Sequence, residues 1–459
     1  MTVRHQQWRN PVKVTAARGV RHFRWTRPRH ALDKGWVVGH HIHSMHILMF
    51  TIGSAGDVFP FIALGLELQR RGHRITLMTG EQHQTAVRAA GMGFAPMYTE
   101  QEFNMLLEHP DFFHPRRGIR LFYREMCLPW VTKVYQFISS QYVQGQTGVI
   151  TSTFAFGARV AQEKLGVPVV TVHLQPTFFR SIHDTPIYPG LPMKYLPRQL
   201  KSFVYRGMDK FLDGCIAGEM NAFRATLGLP AVHRYFANWI HSPTLTLGLF
   251  PSWFVAPQPD WPAQAQLTGF PLYDGIIEHP LSEQVSRFLE AGDPPVVFTI
   301  GTPTRDGRWF FEGAVEACRK LGCRGLLVHR YQDQIPPVPP PGILHAPFVP
   351  FGKVFSRSRA VVHHGGIGTL AQVFAAGVPQ VVVPIGFDRP DNAARMERLG
   401  VGFQLPRQRF SGASLADALR RLLNTSNFSE KARQVAGQTD GQAAVAAACD
   451  KALSAFGQS

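Results

Sequence analysis

The sequence predicts an α/β protein built from two Rossmann-like, doubly wound parallel-sheet domains. Three observations lead there. Twice the chain runs from a short aliphatic strand through a glycine-rich turn into a helix, once over residues 46–71 and again over 360–376, and that succession opens a βαβ unit. Between the two, Pro251 to Pro262 carries four prolines in twelve residues, too many for regular structure, and marks a boundary. A length of 459 residues also exceeds what one core organises.

Taken in order, residues 1–44 form a basic extension with nine Lys/Arg against Asp33 alone, so without them the net charge of +17 falls by eight to +9. The segment has no helical period and no apolar core of a secretory signal, and it is expected to be disordered, with Met45 standing just before the first strand. Its charge would suit an anionic membrane surface or nucleic acid, although charge runs are usually solvated. No apolar run approaches the ~20 residues that span a bilayer. Five scattered cysteines read as free thiols in a reducing, cytoplasmic setting, and Cys318 and Cys323 lack the partners of a zinc site.

The first domain is expected over 45–250. It opens with strand His46–Thr51, the turn Gly53–Asp57, a helix from about Phe59 to Arg71 stopped by Gly72, and strand Ile75–Thr79. Asp57 falls at the carboxyl edge of the sheet, where ligands approach. On residue type alone a helix N-cap is its plainer role, with a general base as the alternative. Gly148–Thr151 and Val167–Val172 read as later strands. His173, after the second, either lines a cleft or sits in a solvated loop. Arg198 to Leu227 reads as a helix whose Met208, Leu212, Ile216 and Met220 share one face.

A linker region is expected over 251–292 and a second domain over 293–430. Its strand Pro295–Ile300 ends at Gly301-Thr302, followed by a helix at Arg308–Leu321. The densest chemistry lies at Val361–Gly400. There a buried strand meets His363-His364-Gly365-Gly366-Ile367-Gly368-Thr369, a helix follows to Ala376, and a second strand from Gln380 ends in Asp388, Arg389, Asp391 and Asn392. Glycines let the backbone approach a ligand, and the first amides of a helix favour an anion. The alanine-rich stretch 431–459 reads as mostly helical, returning to the first domain.

Several fixed spacings carry a resemblance. H-H-G-G-I-G-T at His363–Thr369, G-V-P-Q-V-V-V-P at Gly377–Pro384 and D-R-P-D-N-A at Asp388–Ala393 resemble the donor-sugar signature of inverting, nucleotide-sugar-dependent glycosyltransferases of the two-Rossmann-domain GT-B type. Likewise, G-S-A-G-D-V-F-P-F-I-A-L at Gly53–Leu64 is similar to the G-x-x-G-D-V-x-P segment of bacterial antibiotic and sterol glycosyltransferases. The resemblance implies that Asp57 is the catalytic base and that the first domain binds an acceptor. His173 is then a candidate at the acceptor.

For the donor, the resemblance implies that Gly301, Thr302, His364, Gly366, Gly368 and Thr369 meet the diphosphate. It gives Phe348 and Val349 the base, Gln372 the ribose, and Asp388 with Arg389 the sugar. It implies no metal and no cofactor beyond the nucleotide-sugar substrate. Where relatives usually carry Trp and Gln, this chain has Phe348 and Phe351. Gln372 stands where users of UDP-sugars commonly have Glu, and Arg389 where Gln is frequent. Those two departures point to a dTDP-deoxysugar, foremost dTDP-rhamnose, because a neutral amide loses charge-assisted bonding to a ribose and Arg cannot accept from a glucose hydroxyl.

Further segments, N-x-x-R at Asn221–Arg224, Gly248–Phe254, Pro257–Pro262 and Gly269–Leu272, resemble the rhamnosyltransferases of bacterial rhamnolipid synthesis. They imply an apolar acceptor such as a hydroxy-fatty acyl ester, with peripheral contact at the inner face of the cell membrane. UDP-sugar-dependent sterol or polyketide transfer, and a nucleotide-sugar epimerase or non-catalytic binder on the same architecture, are the competing expectations. A nucleic-acid partner rests on pI alone and is not expected.

Overall fold

A computed structural model describes residues 44–114, 116–188, 190–273, 281–301 and 304–457. The basic extension up to residue 43 and the site candidate Thr302 lie outside the described residues.

Two sheets, parallel throughout, organise the chain. The first takes β1 (His46–Phe50), β2 (Arg74–Thr79), β3 (Gly93–Pro96), β4 (Thr147–Ser152), β5 (Val169–His173), β6 (Leu245–Gly248) and β7 (Ala265–Leu267) in the order β3-β2-β1-β4-β5-β6-β7. The second takes β8 (Val296–Thr299), β9 (Gly325–Val328), β10 (Ile343–Ala346), β11 (Ala360–His363), β12 (Gln380–Val382) and β13 (Gly402–Gln404) in the order β10-β9-β8-β11-β12-β13. Strands such as Val296-Val297-Phe298 and Ala360-Val361-Val362 are continuous apolar runs because helices cover both faces of a doubly wound sheet. Register pairs Phe50 with Thr151 and Thr299 with His363. In each sheet the order reverses beside the first strand, between β1 and β4 and between β8 and β11, which is where such sheets open a crevice beyond their carboxyl ends.

Helices around the two sheets include α1 (Ala55–Arg70), α2 (Arg198–Thr226), α3 (Arg308–Leu321), α4 (Ile367–Ala376), α5 (Arg389–Arg398), α6 (Ser426–Ala436) and α7 (Gly441–Gly457). Helix α7 runs back onto the first sheet. A Cβ on Gly148 of β4 would come within 2.7 Å of the Phe456 ring, and burying that ring is worth about 2 kcal/mol. Arg71, just past α1, pairs with Asp450 of α7. One apolar cluster joins Val58 and Phe61 of α1, Leu370 and Phe374 of α4 and Cys449 and Phe456 of α7, so both sheets and the returning helix share a core.

Three expectations shift. Helix α1 begins at Ala55 rather than near Phe59, because Ser54 caps it from an extended backbone and Gly56 does not interrupt it. The 251–292 stretch contributes the edge strand β7, paired with β6. The strand from Gln380 stops at Val382, since Pro384 lacks the N–H a ladder needs. Of the expected apolar face on α2, Leu212, Ile216 and Met220 are core. All five cysteines are free.

Candidate active site

Asp57 sits in the first turn of α1, three residues after the capping Ser54, and not in the turn before the helix. Its Oδ2 accepts from the Ser54 amide at 2.8 Å and from the Ser54 hydroxyl at 3.1 Å, which fixes the carboxylate plane and leaves Oδ1 with no hydrogen bond among the described residues. Gly53 must be glycine here: its φ is +138°, and a Cβ would fall 2.3 Å from Asp57 Oδ2. Burial raises the Asp57 carboxyl to about 6 against the pull of the Ser54 bonds, with Asp388 adding to the rise and Arg389 opposing it. A carboxylate poised there is a competent proton acceptor near neutrality.

His364 ends the β11 turn. It is 5% exposed, and burial, reinforced by Arg389 and His363, holds its imidazole well below the ordinary value. It is therefore neutral, able to donate one hydrogen bond but offering no counter-charge. Its Nδ1 is buried without a partner among the described residues. A Cβ on Gly301 or on Gly366 would each come within 2.5 Å of Nε2, so both turns are stripped of side chain around this ring. His363 is committed elsewhere: Nε2 meets Gln380 Oε1 at 2.7 Å, and Nδ1 accepts from the Gly365 amide.

Beyond β12, Asp388 caps α5. Asn392 Nδ2 donates to Asp388 Oδ2 at 2.6 Å and to the Gly365 carbonyl at 3.0 Å, tying the carboxylate to the glycine turn. Arg389 is buried, with Nη1 donating to the Ile385 carbonyl at 2.7 Å and its guanidinium 5.6 Å above the Phe113 ring. Burial lowers it to about 10, while Asp388 and Asp57 pull the other way. Asp57, His364, Asp388 and Arg389 therefore share one electrostatic environment, although the first lies in the opposite half of the chain. The two helix N-termini also meet: a Cβ on Gly368 would lie 3.7 Å from the Gly56 Cα. Each terminus carries partial positive charge, which draws anions to the seam.

Thr369 and Gln372 are both half-buried and lie three residues apart on α4, hence on one face. After β10, the Phe348 ring is 51% exposed and Val349 is buried, an arrangement that offers an aromatic face beside fixed backbone. His173 requires a correction. It is fully buried; Nδ1 shares a 2.7 Å hydrogen bond with Thr153 Oγ1 and Nε2 one of 2.9 Å with His241 Nδ1. With both nitrogens engaged and no exposed edge, the ring has nothing to give an acceptor.

Two sets of residues escaped sequence reasoning. Tyr98 accepts from the Gly53 amide at 3.0 Å, and its hydroxyl and His83 Nε2 both lie 3.3 Å from the Gly53 carbonyl, pinning the peptide that must stay clear of Asp57. On α5, Arg395 pairs with Asp391 at 2.7 Å and with Asp184 of the first half at 2.6 Å, while Asp391 Oδ1 accepts from the Ile187 amide. Arg398 adds a second bond to Asp184 at 3.1 Å. This latch fixes the helix that presents Asp388 and Arg389. No local pattern signals either set. Among the described residues, no three His, Cys, Asp or Glu side chains gather as a metal-holding group.

Comparison with known proteins agrees with this fold. Residues 47–202 match the glycosyltransferase family 28 N-terminal domain, and residues 327–449 match the erythromycin biosynthesis protein CIII-like C-terminal domain. The chain is 31% identical over 430 residues to O-mycaminosyltylonolide 6-deoxyallosyltransferase of Streptomyces fradiae, a match spanning 88% of this chain and 96% of that one. It is 26% identical over 418 residues to the sterol 3-beta-glucosyltransferase of Candida albicans, spanning 86% of this chain and 27% of that longer protein. The crystal structure of the kitacinnamycin glycotransferase shares the fold, with a TM-score of 0.67 at 21% identity over 89% of this chain and 98% of that one. These matches are to glycosyltransferases at large and do not single out the rhamnolipid type. With two doubly wound sheets and a full-length relative above 30% identity, the chain belongs to the GT-B glycosyltransferases and is an enzyme of that kind.

Proposed function

We propose that this enzyme transfers a 6-deoxyhexose, with dTDP-rhamnose as donor, in a single inverting displacement onto a hydroxyl of an apolar acceptor such as a hydroxy-fatty acyl ester. The observation that carries the reaction type is the position of Asp57, with one free carboxylate oxygen, opposite Asp388, Arg389 and the N-terminus of α4. Asp57 takes the proton of the acceptor hydroxyl as its oxygen bonds to the anomeric carbon. The bond to the diphosphate breaks on the far side, and that oxygen leaves with the electron pair. The amides opening α4 and a hydrogen bond from neutral His364 receive the departing charge, so the step needs no metal. The sugar hydroxyls fall to Asp388 and the base to Phe348 and Val349.

For the donor, the support is Gln372, whose neutral amide favours a ribose less than a carboxylate would, together with the 6-deoxyallosyl group in the name of the Streptomyces relative. Arg389 supports it less, since its guanidinium is turned to the Ile385 carbonyl and Phe113. A second reading, UDP-sugar transfer to a sterol or polyketide, is favoured by the likeness to the sterol enzyme. Purified protein supplied with equal dTDP-rhamnose and UDP-glucose, over a panel of hydroxy-fatty acyl, sterol and polyketide acceptors, separates the two by mass spectrometry. Faster consumption of UDP-glucose replaces the first reading with the second. A sugar altered without any acceptor would make the protein an epimerase instead.

A further inference from the structure

The N-terminal end of α2 is amphipathic in the inverted sense. Lys201, Tyr205 and Asp209 point inward and are buried, held respectively by the Ile182 carbonyl, the Ser181 carbonyl and Arg180. The apolar side chains face out: Leu200 is 51% exposed, Phe203 69%, and Tyr195, just before the helix, 81%. Lys194, Arg198, Arg206 and Lys210 surround them, exposed and without an ion-pair partner among the described residues. Residues 191–210 hold five Lys/Arg against one acid, and that acid, Asp209, is the buried one. Alongside lies a depression of about 330 Å³ lined by Arg206, Asp209, Lys210, Asp213, His233 and Arg234. Its carboxylates are already taken, Asp209 by Arg180 and Arg234, and Asp213 by the amides of Arg234 and Tyr235.

We propose that this surface docks the enzyme on an anionic lipid bilayer, with Tyr195, Leu200 and Phe203 entering the interface and Arg206 and Lys210 meeting headgroup phosphates. Apolar tips ringed by unpaired cations match such an interface in both chemistry and sign, and an exposed apolar patch of this kind marks an interaction site. A protein partner would need compensating acids and a groove. Here the one acid of residues 191–210 is buried while the cations and apolar tips are exposed, which suits a fluid sheet of negative charge. No helix of the described residues is long and apolar enough to cross a membrane, so the attachment is peripheral. The proposal is independent of which donor or acceptor the cleft takes.

The test is co-sedimentation of the full chain with vesicles of phosphatidylcholine mixed with phosphatidylglycerol, against phosphatidylcholine alone. Binding to the mixed vesicles only is expected. The Arg206→Gln/Lys210→Gln variant should lower partition by roughly 10-fold or more, and Leu200→Ser/Phe203→Ser by about 10-fold. Transfer to a detergent-dispersed acceptor should stay unchanged in both, which shows that the fold is intact. Emission from a Phe203→Trp variant should shift to the blue on mixed vesicles. Equal binding to neutral vesicles, or undiminished binding by both double variants, would overturn the proposal, the latter moving the attachment to the basic residues 1–44. So would a light-scattering mass that halves in Leu200→Ser/Phe203→Ser, since the patch would then seat a second copy of the chain.

Discussion

The turn after β1 and the turn after β11 both lead from a strand at the point where a sheet reverses its order into a helix N-terminus, yet they treat that terminus oppositely. The first fills it from within: Asp57 lies in the opening turn of α1, bonded to Ser54. The second leaves it open, with Gly366 as the cap, no acidic side chain in the first turn of α4, and a neutral histidine beside it. A helix N-terminus attracts negative charge in either case. Where the protein supplies the anion, the terminus seats a buried carboxylate; where it does not, the terminus is left open to an anion from outside, in keeping with the proposed base and diphosphate. One architecture used twice thus yields two chemistries, decided by whether a carboxylate stands within the first turn.

The contrast breaks most sharply at Asp57. Asp57→Asn keeps the shape and an acceptor for the Ser54 bonds but removes the proton acceptor, so kcat should fall on the order of 100-fold or more while calorimetric affinity for the nucleoside diphosphate is retained. Because burial raises the folded carboxyl to about 6, the ionised side chain costs stability at neutral pH. Asp57's contribution is present below its unfolded value and is lost as pH rises through about 6. The Asn variant should then melt no lower than wild type at pH 7, and activity within a few fold of wild type would leave Asp57 as only part of a cap.

The latch on α5 sets how the two termini face each other. Arg395→Met strands Asp391 in the interior and leaves the partly exposed Asp184 with Arg398 alone. Breaking a buried pair by removing one partner costs roughly 3 kcal/mol or more, read in chemical denaturation as a lower midpoint. Arg395→Lys should recover part of that stability and of kcat. A midpoint unmoved by the Met variant would mean that the halves are held by the shared apolar core alone.

His364→Ala tests the open terminus. A hydrogen bond to a charged group is worth about 1.5–3 kcal/mol, so nucleotide affinity and turnover should weaken together by roughly 10-fold or more. Unchanged affinity in calorimetry would return the ring to a packing role between Gly301 and Gly366.

How much of this could be read beforehand follows the distance between partners. The local structure around the second glycine turn is legible because His363 to Asn392 brings strand, glycine turn, helix, strand and carboxylate within one contiguous stretch, and a βαβ unit folds such a stretch onto itself. The start of α1 is masked because Gly53-Ser54-Ala55-Gly56 reads as a turn by composition, while Ser54 with Asp57 closes a capping box that starts the helix earlier. The Tyr98 bond to Gly53 spans 45 residues and the Arg395 bond to Asp184 spans 211. Nothing local marks such partners. The burial of His173 is hidden for a related reason: the strand end is legible, but the His241 that takes its second nitrogen lies 68 residues away.

The smallest expected effect concerns Arg389, which couples the two turns without belonging to either. Its guanidinium is one of the influences on Asp57 and favours the ionised form, which Asp388 opposes. If Asp57 is the base, activity requires its ionised form and falls as pH drops through about 6. Arg389→Gln removes the favourable charge, so the Asp57 carboxyl rises and the acid limb of kcat/KM should move to higher pH, by less than the shift that burial itself produces. Glutamine can still hydrogen-bond to the Ile385 carbonyl, and the loop at Phe387 keeps its aromatic contacts with Phe112 and Phe113, so the limb should move without a matching fall in the plateau at high pH. A limb that stays in place while the plateau drops would show that Arg389 acts on the sugar or on the loop, and that the two turns work side by side without electrostatic coupling.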